Sequence, residues 1–251
     1  MKIAVVAITR HGIELAGKVV AALPGAQLFA PEKFRSEAEH AAPGAAHCYA
    51  GKTGEQIPAL FANFDGIVAV VSLGAMVRLM APHMKDKEQD PGVVVMDEAG
   101  RFAIPVLAGH LGGANELAGR LARALGVLPV LTTASDARET LAVDLLGREL
   151  GWTCTASKQV IVRSSAAVVN EEQIALVQEA GSRDWWAHHA NGRSNPLPTN
   201  IQWLEKIEEI DPARYGAVLW ITHRQPEMLP EALHAAIRDR LVVYCPPQEQ
   251  A

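Results

Sequence analysis

Two hydrophobic patterns alternate along the first half of this chain. Runs that are apolar at nearly every position, residues 2–8, 66–71 and 92–97, predict buried strands. Residues 11–23 and 117–125 instead carry apolar side chains at helical spacing. Strands that alternate with helices predict an α/β fold, with a mainly parallel sheet flanked by helices.

Weaker patterns complete this first part of the chain. We expect residues 31–53, with little periodicity and several Pro and Gly residues, to be mostly loop. Met76 and Met80 lie four positions apart on a predicted helix and are expected in the core rather than as ligands. The other predicted elements are strands at 27–30 and 128–132, short helices at 55–63 and 75–80, and a hairpin arm at 102–104.

A domain boundary is predicted at residues 133–137, which read as a helix cap after the last strand of the first half. We therefore divide the chain into an N-terminal α/β domain, residues 1–133, and a second, smaller α/β domain, residues 134–251. The second domain is expected to contain helices at 138–150 and 157–169, strands at 174–177, 216–221 and 241–244, and an irregular link at about 184–200.

Residues 109–116, Gly-His-Leu-Gly-Gly-Ala-Asn-Glu, join an apolar run to a predicted helix. The first N–H groups of a helix have no partner within it, and the helix dipole favours an anion there. Glycines let a ligand approach the backbone, and His110 adds a side chain that titrates near neutral pH, so the loop is a candidate anion or carbonyl site. The alternative is structural, because this turn matches neither GxGxxG nor a P-loop.

Two further polar clusters follow predicted strands. They are Ser72–Gly74, in which Ser72 is a candidate helix N-cap, and Asp97. Ligands of parallel α/β sheets bind outside the carboxyl ends of the strands. If the strands run in parallel, these two clusters and the loop at 109–115 share one edge of the sheet, and we expect them to form one site.

Composition narrows the class of protein. No stretch reaches the roughly 18 apolar residues of a membrane span, and Arg10 and His11 follow the apolar start too soon for a signal peptide. The net charge of −5 arises in the second half, since residues 1–133 carry 12 basic and 12 acidic residues and residues 134–251 carry 11 and 16. No basic face suggests nucleic acid. Three widely spaced cysteines indicate no disulfide framework, and we expect a cytoplasmic protein without membrane contact.

Two groups of histidines suggest a metal site at first sight. His40, His47 and Cys48 lack a fourth ligand at matching spacing, and the adjacent His188 and His189 read better as an exposed surface pair. We therefore expect no metal site in the protein itself.

Six motifs occur in order along the chain: Ser72–Pro82, Lys85–Lys87, Asp90–Val93, Asp97–Gly100, Gly109–Ala118 and Thr132–Asp136. Together they resemble the CbiG family, the cobalt-precorrin-5A hydrolases of anaerobic cobalamin biosynthesis. The resemblance is dense from residue 66 to 136 and continues more thinly to about residue 245. Members usually continue into a third, C-terminal domain, whereas this chain stops soon after Pro247.

The resemblance implies an enzyme that opens the ring-A δ-lactone of cobalt-precorrin-5A and releases acetaldehyde to give cobalt-precorrin-5B. The substrate brings its own cobalt, so no cofactor is expected. It is also rich in carboxylates, and cationic side chains can pair with these. For Lys85 and Lys87 the alternative is local pairing with Asp86, Glu88 and Asp90. The expected substrate-binding residues are Ser72, Gly74, Arg78, Lys85, Lys87, Asp90, Arg101, Gly109, Gly112, Gly113, Asn115 and Glu116.

For the chemistry, we hypothesise that His110 activates the water that attacks the lactone carbonyl. The backbone N–H groups of Gly112 and Gly113 would stabilise the resulting oxyanion. Asp97 would orient His110, or take the hydroxyl proton when the carbon–carbon bond breaks. No serine or cysteine has the context of a nucleophile elbow, which favours direct attack by water.

Two alternatives remain open from the sequence. The chain could be a non-catalytic tetrapyrrole-binding partner that needs a separate subunit, such as a polypeptide like the family's C-terminal domain or another corrin-pathway enzyme. It could also be a nucleotide-binding α/β protein, although the usual phosphate-loop motifs do not occur. A homodimer is compatible with either reading.

Overall fold

The computed structural model describes residues 1–86, 89–186 and 196–248. The chain divides into two compact units, Met1–Thr132 and Thr133–Ala251. The boundary predicted from sequence, after residue 133, lies one residue further along. Both units contain a mainly parallel sheet with helices, so the predicted α/β class is confirmed.

The first sheet runs in the order β3-β2-β1-β4-β5-β6-β7. Its strands are β1 (Ile3–Ala7), β2 (Gln27–Pro31), β3 (Ala46–Tyr49), β4 (Gly66–Val70), β5 (Gly92–Met96), β6 (Phe102–Leu107) and β7 (Leu128–Pro129). The helices of this unit are α1 (Arg10–Ala22), α2 (Arg35–Ala41), α3 (Ile57–Asn63), α4 (Leu73–Met80) and α5 (Ala114–Leu125).

The strands β1, β4 and β5 are buried along their whole length, because helices cover both faces of the sheet. Alternate side chains of β1 enter two different cores. Val5 packs with residues of α1 and α5, whereas Val6 packs with residues of α3 and α4. Met76 and Met80 lie in the second of these cores, as predicted.

One connection reverses the direction of the chain in this sheet. β5 and β6 form an antiparallel hairpin, in which Val93 pairs with Leu107 and Met96 pairs with Ala103. A turn closes the hairpin, and its last residue, Gly100, has φ of 66°. The predicted hairpin arm is therefore confirmed and is longer than expected. We call the edge where β1, β4 and β5 end the carboxyl edge, and the edge where they begin the amino edge.

The prediction that residues 31–53 are mostly loop is wrong, since α2 and β3 lie there. A Cβ on Gly17 would stand 2.6 Å from the carbonyl oxygen of Ala41, so α1 and α2 pack with their backbones close together. Arg35 also pairs with Glu32 and Glu39. Small residues and ion pairs stabilise α2, and neither of these features produces a strong hydrophobic period in the sequence.

The second sheet runs in the order β10-β9-β11-β12-β8, with only β8 antiparallel to its neighbour among these strands. The strands are β8 (Thr153–Thr155), β9 (Ile174–Gln178), β10 (Ile201–Leu204), β11 (Ala217–Ile221) and β12 (Leu241–Cys245). The helices are α6 (Ala134–Ala137), α7 (Lys158–Val169) and α8 (Glu231–Ile237).

The helix predicted at 138–150 is wrong. Two short 3₁₀ turns, at Val143–Leu145 and Arg148–Leu150, occupy this segment instead. Gly147 has φ of 72°, a left-handed conformation that interrupts a helix. The apolar residues that suggested a helix, such as Leu141 and Leu146, are buried in the second core by an irregular backbone.

Among the described residues, no helix has the length and apolar character needed to span a bilayer.

Candidate functional site

At the carboxyl edge, α4 begins with an open N-terminus. Ser72 occupies the N-cap position, but its hydroxyl makes no capping hydrogen bond, so the predicted capping contact is wrong. In the described part of the chain the N–H groups of Leu73 and Gly74 also lack an acceptor. Four backbone N–H groups at a helix start normally need external partners, so this helix start is able to accept an anionic group.

Arg78 lies one turn along α4 and is exposed. Its Nη1 atom is 3.7 Å from the position that a Cβ on Gly74 would occupy, so the guanidinium reaches back to the helix start. No carboxylate pairs with it among the described residues. Leu73 and Val77 are exposed beside it. The structure therefore brings Ser72, Gly74 and Arg78 together, next to apolar surface.

Asp97 holds the turn between β5 and β6. Its Oδ1 accepts hydrogen bonds from the backbone N–H groups of Arg101 and Phe102, both at 2.8 Å, and its Oδ2 accepts one from Arg101 Nε at 2.9 Å. Burial acts to raise the pKa of Asp97, but the Arg101 guanidinium and the two backbone donors together lower it below its usual value. The carboxylate is thus held ionised within the turn.

Arg101 is committed to the same turn. Besides its ion pair with Asp97, its guanidinium lies 5.5 Å from the centre of the Phe102 ring. The side chain is 70% exposed, so it can still contact a ligand, but not as an unpaired cation.

Glu98 was missed by the sequence reasoning. Its Oε1 accepts hydrogen bonds from the Thr9 hydroxyl at 2.5 Å and from the Gly12 N–H at 3.1 Å, at the start of α1. The protein's own carboxylate therefore occupies the N-terminus of α1. Thr9 lies two residues before the start of the predicted helix and could have been proposed as its cap, whereas nothing local in the sequence marks Glu98 as its partner.

At the amino edge, the loop from Gly109 to Asn115 is packed tightly against the start of β5. A Cβ on Gly92 would lie 2.4 Å from the carbonyl oxygen of Gly112, and a Cβ on Gly112 would lie 2.4 Å from the Cβ of Ala108 and 2.9 Å from its carbonyl oxygen. Ala108 itself has φ of 50°, which is uncommon for a residue other than glycine. These glycines are required by backbone contact within the protein.

Hydrogen bonds inside this loop limit the predicted oxyanion site. The Gly113 N–H donates to the carbonyl of His110 at 2.9 Å, so it is not available to a ligand. The Asn115 N–H donates to Gly109 in the same way. The Gly112 N–H has no acceptor among the described residues. The pair of donors expected at Gly112 and Gly113 is therefore wrong, and one of the two remains.

The side chains of this loop differ in exposure. His110 is half-buried, Asn115 is buried, and Glu116 is exposed in the first turn of α5. Close by, both carboxylate oxygens of Asp90 accept from the Lys85 N–H, at 3.0 and 3.2 Å. Asp90 is 7% exposed and thus fixes the segment before β5, which leaves the exposed Lys85 side chain beside the amino edge. Lys87 lies outside the described residues.

The expectation that the three polar clusters share one edge is wrong. Because β6 runs antiparallel to β5, the loop after β6 emerges at the amino edge, whereas Ser72–Gly74 and Asp97 lie at the carboxyl edge. A strand of five residues separates them, which is roughly 15 Å at about 3.3 Å per residue. Asp97 therefore cannot orient His110.

Over residues 1–86, 89–186 and 196–248, no group of three or more His, Cys, Asp or Glu side chains could hold a metal ion. His188 and His189 fall outside this part of the chain.

The fold and the two edges define a two-unit, mainly parallel α/β protein with polar loops at both ends of its first sheet. Two family models match it: "Cobalamin synthesis G N-terminal" over residues 55–136, and "Cobalamin biosynthesis central region" over residues 141–246. The chain belongs to the CbiG family of cobalamin biosynthesis proteins, as its motifs indicated.

Curated relatives agree with this assignment. A protein of Priestia megaterium named cobalt-precorrin-5A hydrolase is 40% identical over 92% of this chain and 59% of its own length. One of the same name from Salmonella typhimurium is 33% identical over 73% of this chain and 48% of its own length. The chain thus spans about half to three-fifths of the relatives it matches. A crystal structure of a cobalamin biosynthesis protein G homologue from Sulfolobus solfataricus matches 97% of this chain and 60% of its own, with 20% identity and a TM-score of 0.48.

Proposed function

We propose that this chain hydrolyses cobalt-precorrin-5A, opening the ring-A δ-lactone and releasing acetaldehyde to give cobalt-precorrin-5B. Membership of the CbiG family and the name shared by the two curated relatives support the proposal. The cobalt belongs to the substrate, and we infer no cofactor of the protein's own.

One observation favours the amino edge of the first sheet as the reaction site. Segments from four of the motifs come to this edge: Lys85, Asp90–Gly92, the loop from Gly109 to Asn115, and Thr132. Thr132 follows β7, which runs parallel to β6 and so toward the same edge. His110 is the imidazole of this group, and the packing of its loop against Gly92 fixes its backbone.

The proposed reaction begins with water. His110 accepts a proton as the water oxygen bonds to the lactone carbonyl carbon, and the Gly112 N–H stabilises the negative charge that develops on the carbonyl oxygen. The ester C–O bond then breaks, and the proton returns to the alcohol that is released. In the second stage this hydroxyl loses its proton and becomes the carbonyl of acetaldehyde, while the electron pair of the broken C–C bond passes to the macrocycle. One water is consumed for each acetaldehyde.

The substrate's carboxylates need cationic partners. Lys85 stands at the same edge as His110 and is the described cation that best fits this role. Ser72, Gly74 and Arg78 lie roughly 15 Å away, along a five-residue strand. They would form a separate contact for an anionic group and would not touch the reacting lactone.

The proposal is tested by acetaldehyde release from anaerobically prepared cobalt-precorrin-5A, followed with alcohol dehydrogenase. We expect His110→Ala to lower kcat by about 10²- to 10⁴-fold, the usual contribution of a general base. His40→Ala, at an exposed histidine of α2, is the matched control and should keep the kcat of the wild type. Retention of most of the rate in His110→Ala would exclude this residue as the base. Substrate binding by the wild type without acetaldehyde release would indicate a non-catalytic tetrapyrrole-binding partner.

A further inference from the structure

The second sheet has its own topological switch point. β10 lies on one side of β9, and β11 and β12 lie on the other, so the connection that leaves β9 and the connection that leaves β11 run in opposite directions. In open α/β sheets, ligands bind in the crevice beyond the carboxyl ends of the strands at such a point. Two cavities, of about 470 and 550 Å³, open at this place, and residues Ala180 and Gly181 line both.

Hydrogen bonds from Gln178 hold the loop between the two cavities, residues 180–182, in place. Gln178, the last residue of β9, is 3% exposed. Its Nε2 donates to the carbonyl oxygens of Ala180, Gly181 and Ser182 at 2.9–3.2 Å, and its Oε1 accepts from Trp185 Nε1 at 3.1 Å. The buried amide of Gln178 fixes this loop, which forms the ridge that separates the two cavities. The crevice is therefore formed before any ligand arrives.

The larger cavity is mainly apolar. Leu150, Trp152 and Pro246 contribute to its walls, and the exposed His223 stands at its border. His223 Nδ1 is 3.7 Å from the Sγ of Cys245, at the end of β12. In the described part of the chain, its Nε2 has no partner. A contact at one ring nitrogen orients the imidazole and leaves the other nitrogen free to bind a metal.

The smaller cavity is charged. Arg224 pairs with Glu179 and Glu208, and Arg183 pairs with Glu205. Lys206 lines the same cavity and makes no ion pair among the described residues, although its charge, after the larger effect of Arg224, helps to lower the pKa of Glu208. It is therefore the cation here that an incoming carboxylate can engage without displacing a carboxylate of the protein.

We infer that this crevice of the second unit binds a cobalt corrinoid, with His223 Nε2 as an axial ligand to cobalt. The inference rests on the proposed function, which makes a cobalt corrinoid the substrate. The flat macrocycle would lie against Trp152 and Pro246, and a carboxylate arm would reach Lys206 across the ridge at Gly181. The bond forms when the imidazole lone pair replaces a water on cobalt, with no change in oxidation state.

Electron paramagnetic resonance of the Co(II) form tests this directly. The probe is Co(II) cobyrinic acid, a carboxylate-bearing corrinoid with no nucleotide base to occupy an axial position. Bound to the full chain, it should show triplet superhyperfine splitting from one axial nitrogen, and the triplet should become a doublet in protein labelled with ¹⁵N-histidine. Failure of the probe to bind, or binding without this splitting, would overturn the inference.

Variants locate the ligand. His223→Ala should remove the splitting, whereas Cys245→Ser and His110→Ala should keep it, since neither supplies the bond to cobalt. Splitting that survives in a folded His223→Ala protein would assign the ligand elsewhere. Lys206→Met should weaken probe binding by about 2- to 5-fold. Lys33→Met, at an exposed lysine of the first unit, is the control and should leave binding unchanged.

This test is independent of turnover. Axial splitting without acetaldehyde release would support the corrinoid site and refute the proposed hydrolase activity. Acetaldehyde release by a wild-type chain that shows no splitting would support the hydrolase and refute the site.

Discussion

Asp97 is expected to stabilise a hairpin and not to take part in the reaction, and two substitutions separate these roles. Asp97→Ala removes the acceptor of both backbone N–H groups and of Arg101 Nε. Asp97→Asn keeps an oxygen at Oδ1, which receives both backbone bonds, and loses only the ion pair with Arg101. The two variants therefore differ in the hairpin contact alone.

The magnitudes follow from these contacts. A hydrogen bond to a charged acceptor contributes roughly 1.5–3 kcal/mol. Because the Asp97 side chain is 26% exposed, water can reach the freed donors, and we expect a total loss of about 2–3 kcal/mol in Asp97→Ala. The pair with Arg101, a side chain 70% exposed, should be worth no more than about 0.5–1 kcal/mol in Asp97→Asn.

Hydrogen exchange measures the loss where it occurs. Amides of β5 and β6 should exchange about 30- to 150-fold faster in Asp97→Ala, if exchange follows local opening, and only slightly faster in Asp97→Asn. Acetaldehyde release should stay within about threefold of the wild type in both variants, since the carboxylate stands roughly 15 Å from His110. Asp97→Asn with normal exchange but no turnover would refute this reasoning and return Asp97 to the reaction.

The same contacts predict a pH dependence. Burial opposes ionisation, but Arg101 and the two backbone donors lower the pKa of Asp97 below its usual value. A carboxylate with a lowered folded pKa adds stability above its unfolded pKa and loses it as the pH falls through the folded value. The wild type should therefore exceed Asp97→Asn in hairpin protection near neutral pH, and the difference should disappear in acid, below the folded pKa. A difference that grows in acid would contradict the assignment.

Two further substitutions test the packing of each unit. Gly92→Ala places a Cβ 2.4 Å from the Gly112 carbonyl oxygen and should lower the free energy of unfolding, measured in urea, by about 1–3 kcal/mol. Gly119→Ala on α5 is the control, because its Cβ would meet Arg123 Nη1 at an ordinary contact distance of 3.6 Å, and it should be neutral or stabilising. Tyr244→Phe removes the O–H that donates to Val143 O at 2.7 Å in the second core and should cost about 1–3 kcal/mol by leaving a buried carbonyl unsatisfied. The tryptophans, all at position 152 or later, report that loss by fluorescence, and no change in the midpoint would refute it.

Much of the first sheet could be predicted from sequence, because parallel strands buried on both faces leave continuous apolar runs. Residues 2–8, 66–71 and 92–97 correspond closely to β1, β4 and β5. Helix α2 has no clear apolar pattern in the sequence, since it buries little more than Ala38 and depends on ion pairs and a close contact with Gly17. β10 and α8 were missed as well, and both are short. Weakly amphipathic elements depend on their neighbours and have no strong period of their own.

The expected position of the candidate site was wrong for a different reason. The sequence contained the information needed to place the site correctly. Residues 97–101 are too few to connect parallel strands, which need a crossover of a dozen or more residues. A hairpin at this point therefore requires β6 to run antiparallel, and the loop that follows must emerge at the amino edge. Predicting the hairpin and also placing Gly109–Asn115 beside Asp97 were two incompatible expectations. Periodicity alone gives strands without direction, and the length of the connection supplies the direction.

Because β6 runs antiparallel, a residue other than Asp97 must act as the base in the second stage of the proposed reaction. With Asp97 excluded as a partner, the described carboxylates within or next to the amino-edge segments are Asp86, Asp90 and Glu116. Asp86 already accepts hydrogen bonds from the Gln89 N–H at 3.1 Å and from Gln89 Nε2 at 3.0 Å. Asp90 is buried and already binds the Lys85 N–H, whereas Glu116 is exposed in the first turn of α5, beside the loop that carries His110. Loss of the hydroxyl proton in the second stage needs a base at this edge. The fold therefore leaves either His110, acting twice, or Glu116, and comparing acetaldehyde release with lactone opening in Glu116→Gln would separate them: opening without release identifies Glu116, and unchanged release assigns both stages to His110.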